Sequence, residues 1–256
     1  MEQIRTDMEK LTAFWDHAFQ QFEQEYAQID SSEGMKQLAP AEELYLAAQS
    51  LGKRKKVLDY GCGSGWAGLA AAAGGCEDVT CADTSPAAVR TAEKLAEMFG
   101  VRDRMHFLTI APDWLRTVPA MTYDGFFCSN VLDVVPQEVS EKIIGQAARA
   151  LADDASAIIG LNYCLSPEEG EKRSLAMAGR NLYVDGILRL VSFSDEEWAE
   201  RFSAFFTVAR LEHFAWPNEK EKRRRLFYLK KNGPKAGQRR LYEAHTCLRK
   251  SLVLSL

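Results

Sequence analysis

The sequence predicts an α/β fold, an open and mostly parallel sheet with helices on both faces, and three observations carry that prediction. Between residues 57 and 162, short apolar runs alternate with amphipathic helical stretches. A glycine-rich turn, Gly61-Cys62-Gly63-Ser64-Gly65, joins the first of those runs to the first of those helices. Near the end of the alternation, Phe206–Trp216 and Arg224–Lys230 read as strands joined around Pro217-Asn218. That connection is too short for a helical crossover, so this pair is antiparallel.

The elements follow in order. Leu11, Phe14, Trp15, Ala18, Phe19, Phe22, Tyr26 and Ile29 recur at steps of three and four, with Asp16, Gln20, Gln21, Glu23 and Gln24 between them. This is an amphipathic helix. Ser31-Ser32-Glu33-Gly34 ends it, and a second helix runs from Pro40 to Ser50, completing a helical cap over residues 1–50. Val57–Tyr60 is the first strand and Trp66–Ala73 the helix behind the turn. Val79–Asp83 is the second strand, and Ser85-Pro86 opens a helix to Phe99, serine as cap and proline in the first turn. Met105–Ile110 and Tyr123–Ser129 are the third and fourth strands, Gln137–Leu151 a helix, and Ala155–Asn162 the fifth strand. Residues 163–193 read as a polar, irregular insert with one helix near Glu168–Met177. Asp195–Phe205 is a helix, and Ser194 with Glu197 forms a capping box at its start. Past Gly233-Pro234, residues 232–256 form a basic helix with Leu241, Leu248 and Leu252 on one face.

Composition narrows the function classes. Of 256 residues, 46% are apolar and 27% charged, which excludes disordered, collagen-like and coiled-coil chains. The net charge of −4 hides a split: residues 1–219 carry −14 and residues 220–256 carry +10. Six of the twelve basic residues in the second part lie between Lys220 and Lys230, where they read as solvated strand ends and edge protection. The rest belong to the terminal helix, which could dock on the acidic body or on a second subunit as a homodimer. The first fifteen residues show no apolar signal core and no cleavage site, and the longest apolar stretch, Leu69–Gly75, is too short to span a bilayer. Six cysteines lack any Cys-x-x-Cys pair or zinc-like histidine spacing, so reduced thiols, no metal and a cytoplasmic location are expected.

The glycine-rich turn admits two registers. Read from Gly63, Gly63-Ser64-Gly65-Trp66-Ala67-Gly68 matches a dinucleotide pattern and Asp83 follows at a suitable distance, which would make the chain an NAD-dependent oxidoreductase. That register buries Asp59 in mid-strand and puts bulky Trp66 where a pyrophosphate should approach. Read from Asp59, the pattern is acid-x-Gly-x-Gly-x-Gly with the acid at the strand's end, and this register is preferred.

In that register VLDYGCGSG, VTCADTSPAAVRTAE and YDGFFCSNVLDVVP occur in the order and at the spacing of the class I S-adenosylmethionine-dependent methyltransferases, which residues 53–231 resemble. The resemblance implies a seven-stranded, doubly wound sheet with the last strand antiparallel, over residues 51–231. It also implies S-adenosyl-L-methionine as cofactor and S-adenosyl-L-homocysteine as product. Gly61, Cys62, Gly63 and Gly65 would then meet the amino-acid end of the cofactor, with Asp59 beside its ammonium. Asp83, with Thr84 beside it, would accept both ribose hydroxyls, a task for which a carboxylate has enough lone pairs. The adenine-binding acid that this family often carries after the third strand is replaced here by Ala111. Either Asp113 substitutes for it, or Ile110 and Ala111 hold the ring by backbone and apolar contact. Ser129, Asn130 and Val131 fall at the sulfonium end, where Asn130 either faces substrate or caps the turn. Asp133 is the one candidate general base, the alternative being that it starts the next helix. Trp15 and its aromatic neighbours form either a lid over the cofactor or ordinary core. Tyr163, Arg180 and Tyr183 in the insert are the candidate acceptor contacts.

The resulting expectation is methyl transfer to a small-molecule acceptor. A nucleic-acid methyltransferase is the first rival, weakened by the lack of an added RNA-binding module and of an Asn/Asp-Pro-Pro-Tyr motif. A non-catalytic scaffold with the same fold is the last.

Overall fold

The structure, a computed structural model, describes residues 2–26 and 28–233. In chain order its helices are α1 (Glu2–Tyr26), α2 (Glu42–Ser50), α3 (Trp66–Ala73), α4 (Pro86–Met98), α5 (Gln137–Ala150), α6 (Pro167–Lys172) and α7 (Asp195–Ser203). The strands are β1 (Val57–Tyr60), β2 (Val79–Asp83), β3 (Met105–Thr109), β4 (Tyr123–Ser129), β5 (Leu151–Leu161), β6 (Ala176–Ala178), β7 (Asn181–Val184), β8 (Ile187–Val191), β9 (Phe206–Phe214) and β10 (Arg224–Lys231). The basic terminal helix expected over 232–256 lies, from residue 234 on, outside the described residues, as do any dimer contacts it makes.

Seven strands form one sheet in the order β3-β2-β1-β4-β5-β10-β9. β1 pairs in parallel with β2 and β4, β4 with β5, and β2 with β3, while β10 runs antiparallel to both β5 and β9. Period-two burial explains why the strands read as continuous apolar runs. Leu58, Phe126 and Ile159 enter one core and their neighbours Val57, Phe127 and Ile158 the core on the opposite face. Ser85 caps α4 by accepting from Ala88 N at 3.1 Å, and both parts of the Ser194–Glu197 capping box form.

Two expectations change. The insert is a three-stranded antiparallel sheet, β6-β7-β8, preceded by the short α6, and the helix expected to Met177 ends at Lys172. The turn Asp185-Gly186, both at positive φ (52° and 71°), closes the β7–β8 hairpin. The basic run is not a solvated edge, because β10 lies between β5 and β9 and is internal. Arg224 and Arg225 are 5% and 1% exposed. Arg224 pairs with Glu219, Arg225 donates to Phe193 O at 2.7 Å, and Arg223 and Lys222 pair with Glu169 and Glu43. Lys220, Lys222 and Lys230 are exposed, as expected of solvated strand ends, whereas Arg224 and Arg225 are buried and paired.

Candidate functional site

Parallel strands deliver their carboxyl ends to one edge of the sheet, where a cavity of about 470 Å³ opens. The turn after β1 forms its floor. Gly61 and Gly63 adopt φ of +66° and +52°. A Cβ on Gly61 would run into Val131 Cγ2, and one on Gly63 would lie 2.9 Å from Phe19 Cζ. Glycine is required there for both conformation and space. Gly65 is the N-cap of α3, and Cys62, Gly63, Ser64 and Trp66 all line the cavity. Burial and a hydrogen-bond partner in Cys81 push the Cys62 thiol well above its ordinary range, so it is a packed thiol rather than a nucleophile.

Asp83, the last residue of β2, reaches the cavity with a carboxylate held from behind: Gly63 N and Ser85 N each donate to it at 2.9 Å, one to each oxygen. Each oxygen keeps a lone pair for a further donor. Burial raises its pKa, against the pull of those two N–H groups. Thr84 lines the cavity beside it.

Asp59 is placed differently from the expectation. It is the third of four residues in β1, opposite Cys81 and Phe127, and 2% exposed. It accepts from Gly68 N at 2.9 Å, behind the turn and off the cavity wall. Burial pushes its pKa up to about 7 despite that hydrogen bond. The mid-strand burial that counted against the dinucleotide register is therefore present, partnered by the first turn of α3 and offset by a shifted ionisation. Asp59 supports the turn and does not line the ligand space.

After β3, Ile110 and Pro112 line the cavity, whereas Ala111 and Asp113 are exposed and Asp113 faces Arg116 at 3.4 Å. Neither Ala111 nor Asp113 lines the cavity, and Pro112 stands on the wall beside Ile110. After β4, Ser129, Asn130 and Val131 all line the cavity, and Asn130 turns the chain at φ 56° while donating its backbone N–H to Gly160 O.

Asp133 is not on the wall. It is 0% exposed and accepts from Asn162 N at 2.6 Å, while Val191 N donates to its carbonyl at 2.7 Å. It ties the segment after β4 to the end of β5 and to β8, a structural task that leaves no route to an acceptor proton. The insert residues are also elsewhere. Tyr163 lies under Arg223 and Arg224, Arg180 pairs with Glu197 at 2.6 Å, and Tyr183 Oη donates to Asp7 at 3.4 Å. None of the three lines the cavity.

The insert instead supports α1. Besides Tyr183–Asp7, Lys10 Nζ donates to Gly186 O at 3.3 Å, and the Arg189 guanidinium sits 4.1 Å from the Phe14 ring centroid. On the other flank Asp16 accepts from Ser85 Oγ at 2.7 Å and from Ala87 N at 3.1 Å, at the start of α4. Those bonds hold its carboxyl below the usual range, and they place a negative charge where the helix dipole favours one. Thus braced, α1 presents Leu11, Trp15, Phe19, Phe22 and Tyr26 to the cavity as its roof.

Sequence reasoning missed Trp216, which lines the cavity just past β9, and the segment from Gln37 to Pro40. Trp216 carried a signal: an aromatic residue beside Pro217, where a strand ends at the carboxyl edge. Asp16 was hidden among the polar residues of an amphipathic helix.

The arrangement suits an adenosyl-amino-acid ligand on observations of the site itself. A bare glycine backbone precedes a helix N-terminus, a carboxylate with spare lone pairs ends the adjacent strand, and an apolar slot formed by Ile110 and Pro112 lies beyond.

Comparison with known proteins agrees. The family described as "methyltransferase domain" matches residues 57–154. A ribosomal protein L11 methyltransferase of Acinetobacter baumannii is 44% identical over 66 residues, 24% of this chain and 22% of that protein, so the chain spans about a fifth of the length of the curated relatives it matches. Among solved structures, the Burkholderia thailandensis 1,6-didemethyltoxoflavin-N1-methyltransferase aligns at TM-score 0.62 and 17% identity, covering 88% of this chain and 90% of that one. A methyltransferase from Methanosarcina mazei aligns at 0.59 and 18%, covering 70% and 93%. At such identities the likeness is one of fold. Residues 57–154 thus match the methyltransferase-domain family, and the chain has the seven-stranded, Rossmann-like fold of the methyltransferase structures it aligns with.

Proposed function

We propose that the protein transfers a methyl group from S-adenosyl-L-methionine to a small-molecule acceptor and releases S-adenosyl-L-homocysteine. The observation that carries this reading is the pairing of Gly63 with Asp83: the same carboxylate that fixes the glycine turn also faces the cavity. When bound, the cofactor supplies a methyl group on a sulfonium, so the chemistry needs alignment and dryness more than acid–base assistance.

The chain's residues divide that work. Asp83 takes the ribose hydroxyls, Gly61 and Gly63 let the amino-acid end approach the backbone, and Ile110 and Pro112 hold the base by apolar contact. Phe19 and Trp15 on α1 exclude water from above. Ser129 and Asn130 flank the position at which an acceptor meets the methyl group.

A small acceptor is supported by a largely apolar cavity with no Lys, Arg or His among the described residues that line it, rather than a basic groove. The Burkholderia neighbour is by its title a methyltransferase of a small molecule, 1,6-didemethyltoxoflavin. The basic run that motivated a nucleic-acid reading is paired internally over residues 222–225. No described helix is long and apolar enough to cross a membrane. All five described cysteines are unpaired, which suits a reducing compartment such as the cytoplasm.

Calorimetric titration with S-adenosyl-L-homocysteine and with NAD tests the reading. Micromolar binding of the first and none of the second is expected; the reverse overturns it.

A further inference from the structure

The sheet order divides the cavity. Asp83, Ile110 and Pro112 belong to β2 and β3 at one end, whereas Trp216 follows β9 at the other end of the order, past β4 and β5. A cofactor anchored on Asp83 and the glycine turn therefore leaves the Trp216 side for the acceptor. Besides Trp216, the cavity lining includes Trp66, Tyr26, Gln37 and Asn130, aromatic rings and neutral amides. Among the described residues lining the whole cavity, Asp83 is the only one with a formal charge at neutral pH.

Trp216 is held unusually firmly for a loop residue. The Arg224 guanidinium lies 3.3 Å from its ring centroid. Glu219 accepts from Arg224 Nε at 2.8 Å and Nη2 at 2.7 Å, and also from the Trp216 backbone N–H at 3.0 Å. Asn162, at the end of β5, accepts from Arg224 Nη1. The guanidinium covers one face of the indole and ties it to two strands. Its charge is paired by Glu219, and its Nη1 donates to Asn162. A carboxylate or phosphate brought into the cavity would be desolvated with only neutral donors and no cationic side chain among the described lining residues to offset the cost.

We infer that, given the methyl-transfer reading above, the acceptor is a planar aromatic or heteroaromatic molecule without an acidic side group, and that Trp216 is its specificity-determining wall. Rigid aromatic surfaces of this kind recognise flat ligands by stacking and edge contacts at small entropic cost.

The test uses the full chain saturated with S-adenosyl-L-homocysteine and saturation-transfer NMR with two probes, quinoline and quinoline-4-carboxylate. Quinoline is expected to bind at least tenfold more tightly than the carboxylate. Trp216→Ala should weaken quinoline at least tenfold, Trp216→Phe less than threefold, and neither should move the S-adenosyl-L-homocysteine Kd more than twofold. Equal or tighter binding of the carboxylate, no quinoline binding to the loaded protein, or quinoline binding indifferent to Trp216→Ala overturns the inference. Failure of S-adenosyl-L-homocysteine itself to bind overturns the underlying reading instead.

Discussion

Replacing Asp83 tests the cofactor site most directly, because its carboxylate has two tasks that different substitutions separate. In the folded chain it accepts Gly63 N and Ser85 N, one per oxygen, and each oxygen has one further lone pair toward the cavity. Two ribose hydroxyls donating to a charged acceptor are worth about 1.5–3 kcal/mol each. Their joint loss in Asp83→Ala amounts to about 3–6 kcal/mol before water replaces part of it, so a weakening of at least tenfold and up to about ten-thousandfold is expected. Asp83→Asn should fall between alanine and wild type. Its single carbonyl oxygen can serve one backbone N–H and one hydroxyl, while its NH2 group confronts the other N–H, donor against donor. Isothermal titration with S-adenosyl-L-homocysteine, alongside a thermal melt to confirm folding, reads the series. An Asp83→Ala protein that folds and binds within threefold of wild type would refute the assignment.

Other expectations follow from neighbouring groups. Asp59 has its pKa raised from 3.8 to about 7 by burial, so the folded state favours its protonated form. Stability is then greatest below about pH 4 for this group and is lost as pH rises to about 7, by roughly 4 kcal/mol in all. Asp59→Asn should remove that slope, and urea unfolding of both proteins at pH 5 and pH 8 measures it; parallel losses in the two proteins would count against the argument. Asp133→Ala should lower unfolding free energy by about 1–3 kcal/mol, by leaving Asn162 N without its acceptor, yet keep the S-adenosyl-L-homocysteine Kd within twofold. Asp16→Ala removes the acceptor for Ser85 Oγ and Ala87 N, and stopped-flow dissociation of S-adenosyl-L-homocysteine should accelerate at least fivefold. Because the Asp16 pKa is lowered in the fold, the same acceleration should appear in wild type only once pH falls below the ordinary value of 3.8 and through the lower folded one, and not at higher pH.

Local signals accounted for most of what the sequence disclosed. Glycines that must take positive φ, Ser85-Pro86 at a helix start, and the Ser194–Glu197 box each involve residues a few positions apart, and each formed where expected. The β6–β8 sheet was misread because its strands are short and half-buried, so no clear alternation marks them, although Asp185-Gly186 is a hairpin signal. Tyr183 and Arg180 lie beyond the fifth strand, where a substrate loop was expected, but their partners, Asp7 and Glu197, are set by packing that no spacing rule encodes. Asp133 shows the converse. An acid after the fourth strand is chemically suited to be a base, and only its burial and its bond to Asn162 assign it to the scaffold.

The bracing of α1 has a kinetic consequence. The helix is fastened to α4 through Asp16 and to the β7–β8 hairpin through Asp7 and Lys10, and Phe19 rests on Gly63. Lifting α1 off the glycine turn would break those fastenings, so they set the cost of opening the cavity above Gly63. Where nucleotide departure needs that opening, turnover is ordered: nucleotide in first and out last, acceptor and methylated product exchanging between. Product inhibition by S-adenosyl-L-homocysteine should then be competitive with the methyl donor and mixed with the acceptor, and cutting the Asp16 tether should speed turnover wherever nucleotide departure is the slow step.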